Sequence, residues 1–112
     1  MKPIERLTPS FSISGDVWPD DLAAIAAQGY RTIINNRPDG EAADQPTSAA
    51  IENAAHKLGL SYRHIPVVPG NFPAAAVVEF AAALSGCEGP VLAFCKTGMR
   101  SKNMHALATH AG

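Results

Sequence analysis

The stretch PVLAFCKTGMRS, residues 90 to 101, passes from an apolar run through a short polar turn towards a helical segment, with a cysteine at the junction. Val91 to Phe94 carry no charge, so they read as a strand buried on both faces. Lys96, Thr97, Gly98 and Met99 form the turn, and a helix is expected to begin at Arg100 or Ser101. A strand, a tight turn and a helix in that order aim successive backbone N–H groups at one point, where the helix dipole also favours negative charge. Gly98 permits the positive φ that such a turn requires.

On the N-terminal side of this stretch, strand-like and helix-like segments alternate. FSISG (11–15) has the short alternation of a half-buried or edge strand. WPDDLAAIAAQG follows as a helix, with Pro19 at its start, acids in its first turn and Gly29 at its stop. YRTIINNR (30–37) is a β-branched interior strand, and a polar loop leads from it to a helix over 48–59 that Ser48 caps and Gly59 ends. LSYRHIPVV (60–68) is the third strand. The next helix, 72–86, sets Val77, Phe80, Ala81 and Leu84 on one face, and the last runs from Ser101 to the chain end. This order predicts an α/β fold of three αβα layers around a small, mostly parallel sheet of four to five strands. Sites in such sheets form at the carboxyl ends of strands, and Cys95 stands at one.

Length and composition set the other limits. A chain of 112 residues is expected to form a single domain over 1–112. Hydrophobic residues make up 46% and charged residues 17%, with a net charge of -1, as in a globular protein and unlike a nucleic-acid or anionic-membrane binder. The N-terminus lacks the apolar core of a secretory signal, so a cytoplasmic location is expected. There are two cysteines, Cys87 and Cys95, and in a reducing compartment both are expected as free thiols. Cys87 reads as a small loop residue.

At Cys95 the surroundings point to nucleophilic chemistry. Lys96 and Arg100 add positive charge near the sulfur, and a thiol beside cations at a helix N-terminus is expected to be held as the thiolate. Arg100 has the planar fork that binds two oxygens of a phosphate, thiosulfate or sulfonate. Ser101 caps the helix or hydrogen-bonds the sulfur. Asp39, in the turn NRPDGE, lies on the same edge of the sheet and is the candidate general acid for a phosphatase, although Asp-Gly is also an ordinary turn pair. Asp44 and then Glu41 are weaker acid candidates. Arg37 either lends the site charge or ties down that loop. His64 reads as a packed or edge residue, and His56, His105 and His110 have no partners at ligand spacing, so neither a metal nor another cofactor is expected. Trp18 is expected to anchor the first helix, and the loop from Val67 to Phe72 to form an apolar wall of the pocket.

The motif Cys-Lys-x-Gly-x-Arg-Ser is similar to the active-site loop of rhodanese sulfurtransferases, being one residue shorter than the Cys-x5-Arg loop of cysteine-dependent phosphatases. INNRPDGE (34–41), HIPVVPG (64–70) and GPVLAFCKTGMRS (89–101) together resemble the small bacterial phosphatase-like sulfurtransferase domains, found alone or fused to a metallo-β-lactamase-type persulfide dioxygenase. That resemblance implies a dual-specificity-phosphatase-like fold. It also implies a Cys95 persulfide, loaded from a small anionic sulfur donor and passed to a thiol or cyanide. Phe94 stands where phosphatases commonly have His. The family's usual length implies a further helix or two beyond Gly112, leaving the C-terminal helix either under-packed or completed by a partner, a persulfide dioxygenase or a second copy. Two rival readings remain at this point: a protein tyrosine or dual-specificity phosphatase using Cys95, Arg100 and Asp39, and a non-catalytic anion-binding module.

Overall fold

The computed structural model describes residues 1–110, and the expected helical end at Ala111 and Gly112 lies outside the described residues. Five strands form one sheet: β1 (Ile4–Thr8), β2 (Phe11–Ser14), β3 (Thr32–Asn35), β4 (Ser61–His64) and β5 (Val91–Phe94). Their order is β1-β2-β5-β3-β4, with β1 antiparallel to β2 and every other pair parallel. A single turn of 3-10 helix (Pro19–Asp21) leads into α1 (Leu22–Ala27). Helices α2 (Ser48–Lys57), α3 (Ala74–Gly86) and α4 (Met99–His110) are the other helices of the described residues.

Alternation along the strands divides the core into two layers. In β3, Ile33 faces the layer of Leu22, Ile25, Ile51 and Ala55 from α1 and α2, while Ile34 faces Phe80, Ala83 and Met104 from α3 and α4. In β5, Leu92 and Phe94 join the first layer, and Val91 and Ala93 the second. A period of two on a sheet covered by helices on both sides produces this division. The expected three-layer α/β architecture is the one found.

Local details differ from the sequence reading. FSISG is no edge strand: β2 is buried throughout, because IERLT pairs along it as β1. Charged Glu5 and Arg6 hid that strand, and charge is common on exposed edges. Trp18 does not anchor α1 by burial, since it is 43% exposed; it holds the helix start through its backbone, its N–H donating to Asp21 Oδ2 at 2.9 Å and its carbonyl accepting the Asp21 N–H at 2.9 Å. On α3 the buried seat belongs to Ala83, one turn from Phe80, and Ala81 is only half-buried. α2 is capped by Thr47, whose Oγ1 accepts the Ala50 N–H at 3.1 Å, so Ser48 becomes the first helical residue.

Candidate active site

Parallel register brings four strand ends into one row. Phe94 of β5 lies opposite Ser14 of β2 on one side and Asn35 of β3 on the other, and Asn35 lies opposite His64 of β4. The residues just beyond this row therefore meet at one edge: Gly15 and Asp16, Cys95, Asn36 and Arg37. Local sequence then fixes the loop after β5. Gly98 has φ +96°, and a Cβ on it would stand 3.3 Å from the Ser14 carbonyl oxygen, so both backbone conformation and space call for glycine. Gly15 is similarly pressed, with Lys96 O 3.1 Å from where its Cβ would be.

Cys95 is completely buried, and its sulfur accepts the Gly98 N–H at 3.1 Å. α4 begins at Met99, one or two residues before the expected start at Arg100 or Ser101, so Arg100 lies in its first turn. The Arg100 Nη1 donates to Glu41 Oε2 at 2.7 Å and to the Val67 carbonyl at 2.9 Å, and Nη2 donates to Glu41 Oε1 at 3.0 Å. Arg37 holds the other side of the same carboxylate, Nε to Oε1 at 2.9 Å, and its Nη1 reaches Asp16 Oδ1 at 2.9 Å. Asp16, Arg37, Glu41 and Arg100 are thus one linked chain of alternating charge.

Both arginine side chains in this chain are buried, 6% and 9% exposed, and such pairs are strong when every donor finds an acceptor. The hydrogen bond from Arg100 lowers the Glu41 pKa below its ordinary value against the opposing effect of burial, and Arg37 adds to the lowering. Glu41 is therefore ionised at neutral pH and has no proton to give. For Arg100 the Glu41 hydrogen bond raises an already high pKa, burial opposes it, and the nearby Cys95 sulfur adds a further upward pull.

Beneath this cluster lies a second, neutral network. Asn36 is fully buried: its N–H donates to Phe94 O at 2.8 Å, its Nδ2 to Ile65 O at 2.8 Å, and its Oδ1 accepts from Ser101 Oγ at 2.9 Å. Ser101 is thus neither a cap nor a ligand of the sulfur; it ties the first turn of α4 to the end of β3. Asn35 Oδ1 accepts the Arg37 N–H at 2.8 Å, and its Nδ2 donates to Tyr62 Oη at 3.0 Å, which is 2.6 Å from Ser48 Oγ. The Tyr62 pKa is raised by burial. His64 Nε2 bonds the Arg37 carbonyl at 2.9 Å, so it holds the same loop from the β4 side.

The other expected site residues are placed as follows. Asp39 Oδ1 accepts the Ser48 N–H at 2.7 Å, which engages its carboxylate at the start of α2. Lys96, Thr97 and Met99 are exposed; the Lys96 carbonyl accepts the Asp16 N–H at 3.3 Å, and Thr97 Oγ1 accepts the Met99 N–H at 3.3 Å. Lys96 and Thr97 line a surface groove of about 380 Å³ with Lys2, Pro3, Ile4, Glu5 and Gly15. Val67 enters the core and offers the site its carbonyl rather than an apolar wall. Both cysteines are free thiols. Sequence reasoning missed Asp16 and Asn36 and undervalued Glu41. The signal available for Glu41 was its position four residues after Arg37 in a loop at the site edge.

The family model described as beta-lactamase hydrolase-like protein, phosphatase-like domain, matches residues 4–112. A beta-lactamase hydrolase-like protein of Xylella fastidiosa is 40% identical over 94% of the chain, which spans only 24% of that relative's length. Among solved structures, a phosphatase-like protein of Neisseria meningitidis is 34% identical with a TM-score of 0.84, over 92% of this chain and 73% of its own. The kinase associated phosphatase, in a form with its catalytic cysteine changed to serine, superposes with a TM-score of 0.71 at 18% identity, over 90% of this chain and 65% of its own, and shares the fold alone. Among the described residues no helix is long and apolar enough to cross a membrane.

Proposed function

This chain belongs to the family of beta-lactamase hydrolase-like protein phosphatase-like domains, and we propose that it is a sulfurtransferase built on the phosphatase fold, with Cys95 as the carrier. The Cys95 thiolate attacks the outer sulfur of a donor such as thiosulfate. A bond forms between the two sulfurs as the donor's own S–S bond breaks, and its electron pair leaves with sulfite. Cys95 is left as a persulfide anion. An acceptor thiolate or cyanide then attacks the outer sulfur, and the electron pair returns to Cys95. The loop amides and Arg100 stabilise the anions on both sides of the step.

The observation that carries this reading is the short loop: only four residues separate Cys95 from Arg100, and within it the Gly98 N–H already points at the sulfur from 3.1 Å. The state of the carboxylates supports it. Expulsion of an alcohol from a phosphate ester calls for a proton donor, whereas sulfite leaves as an anion and needs none. Glu41 is held ionised by two arginines, and Asp39 is engaged by a backbone N–H. The partner assigned on this reading is a small sulfur donor and a thiol acceptor, or an enzyme that consumes the persulfide, as a metallo-β-lactamase-type dioxygenase would.

A cysteine phosphatase is the second reading, favoured by the structural likeness to a phosphatase-like protein. Intact-protein mass spectrometry after incubation with thiosulfate separates the two, run beside p-nitrophenyl phosphate hydrolysis. A gain of one sulfur, removed by cyanide and absent from Cys95→Ser, is the expected result. Phosphate ester turnover that depends on Cys95, with no sulfur adduct, would overturn the proposal.

A further inference from the structure

A guanidinium carries five N–H donors. In Arg100 three of them are engaged within the protein, two on Glu41 and one on Val67 O. The Nε–H and the second Nη2–H have no oxygen or nitrogen acceptor among the described residues, and they share one edge of the plane. An oxyanion beside the Cys95 sulfur can be held side-on by that edge while Glu41 keeps its end-on grip. The hydrogen-bonding capacity for an anion is thereby preserved, but the charge is not. Arg37 and Arg100 contribute two positive charges, Asp16 and Glu41 two negative ones, and all four are linked. Lys96 is exposed and adds its charge through solvent, where it counts for less.

From this cancellation we infer that Glu41 is a specificity residue, which biases the site towards sulfur donors with one negative charge and against dianions. An organic thiosulfonate or a thiol persulfide brings one charge to the site. Thiosulfate, sulfate or a phosphate monoester brings two, and the second is repelled by the Glu41 carboxylate across the same guanidinium. The choice of donors rests on the sulfur-transfer reading; the charge preference of the site does not.

Thiosulfate and methanethiosulfonate carry the same transferable sulfur and differ by one charge. In each case the Cys95 sulfur bonds to the outer sulfur, and the S–S electron pair leaves with sulfite or with methanesulfinate. The rate of persulfide formation is measured for both donors with the wild type and Glu41→Gln. In parallel, sulfate and methanesulfonate are compared for protection of Cys95 from iodoacetamide, a readout that requires no turnover. In the wild type, methanethiosulfonate is expected to give the higher kcat/KM, and methanesulfonate to protect at lower concentration than sulfate. In Glu41→Gln the ratio of thiosulfate to methanethiosulfonate kcat/KM is expected to rise about tenfold or more, given the strength of charge interactions in a partly buried site. Sulfate protection is expected to strengthen by a similar factor, with methanesulfonate changed much less.

A folded Glu41→Gln protein with both ratios unchanged, or with both donors lost equally, would overturn the assignment and leave Glu41 a structural brace. If the variant fails to fold, the wild type decides alone, because tighter protection by sulfate than by methanesulfonate contradicts the proposal. Failure of both donors to load sulfur, with the protection order as expected, would sink sulfur transfer while upholding the role of Glu41. Loading without the charge preference would do the reverse.

Discussion

Glu41 clasps Arg100 through both carboxylate oxygens, at 2.7 and 3.0 Å, across a sequence separation of 59 residues. This contact locks the loop after β3 against the first turn of α4, and so sets the orientation of the arginine beside Cys95. The consequences for stability, reactivity and mechanism can each be measured.

The Glu41 pKa is lowered by folding from an ordinary value of 4.5. A carboxylate with a depressed folded value stabilises the protein fully above its unfolded pKa, and that contribution is lost as pH falls through the folded one. Urea midpoints of the wild type and Glu41→Gln should therefore be furthest apart at and above about pH 5.5, and should converge as acid is added below 4.5. A gap that widened in acid would mean that Glu41 is not held by the arginines in solution.

Gly98→Ala is expected to cost about 1–2 kcal/mol for the left-handed backbone alone, with more from the approach of the new methyl group to Ser14 O at 3.3 Å. Because the Gly98 N–H is bonded to the Cys95 sulfur, alkylation by iodoacetamide should also change, unlike in a distant variant that carries the same left-handed backbone cost, such as Gly59→Ala. Equal alkylation rates in the two would argue that the loop amides do not act on the thiol.

Removing the hydroxyl in Ser101→Ala leaves Asn36 Oδ1 without its partner in a fully buried place. An unsatisfied buried acceptor costs about 1–3 kcal/mol, read as a lower calorimetric Tm. If Ser101 instead served only as a helix cap, Ser101→Asp would be tolerated; here it is expected to be worse than alanine, since it buries a carboxylate against the Asn36 oxygen.

Asp39→Ala removes the acceptor for the Ser48 N–H and should destabilise by about 0.5–2 kcal/mol, as loss of a helix-start partner does. On the sulfur-transfer reading, persulfide formation by the folded variant stays within a few-fold of wild type. A fall of about 100-fold or more in phosphate ester turnover, the size expected for loss of a general acid, would restore Asp39 to a catalytic role and favour the phosphatase.

Much of the architecture was legible because it rests on local pattern. The glycines at 29, 59 and 98 all adopt positive φ, as their places at helix ends and in the loop suggested. Val91 to Phe94 are buried on both faces, as an uncharged run should be. Two readings failed because a neighbour distant in sequence decided the outcome. FSISG became interior because Ile4–Thr8 covered its edge, and Ser101 turned from a cap into a brace because Asn36 stood across from it.

For the site, the amino-acid sequence by itself determined the nucleophile's setting: a strand, a cysteine, a glycine turn and an arginine in the first helical turn are contiguous, and steric rules over a dozen residues suffice to place them. What it left open was the electrostatic character of that site. Asp16, Arg37, Glu41 and Arg100 come from three separate segments, and only the parallel register of β2, β5 and β3 makes them neighbours. Charge interactions depend on distance and burial rather than on order along the chain, so the cancellation of two arginines by two carboxylates was decided by the tertiary structure alone.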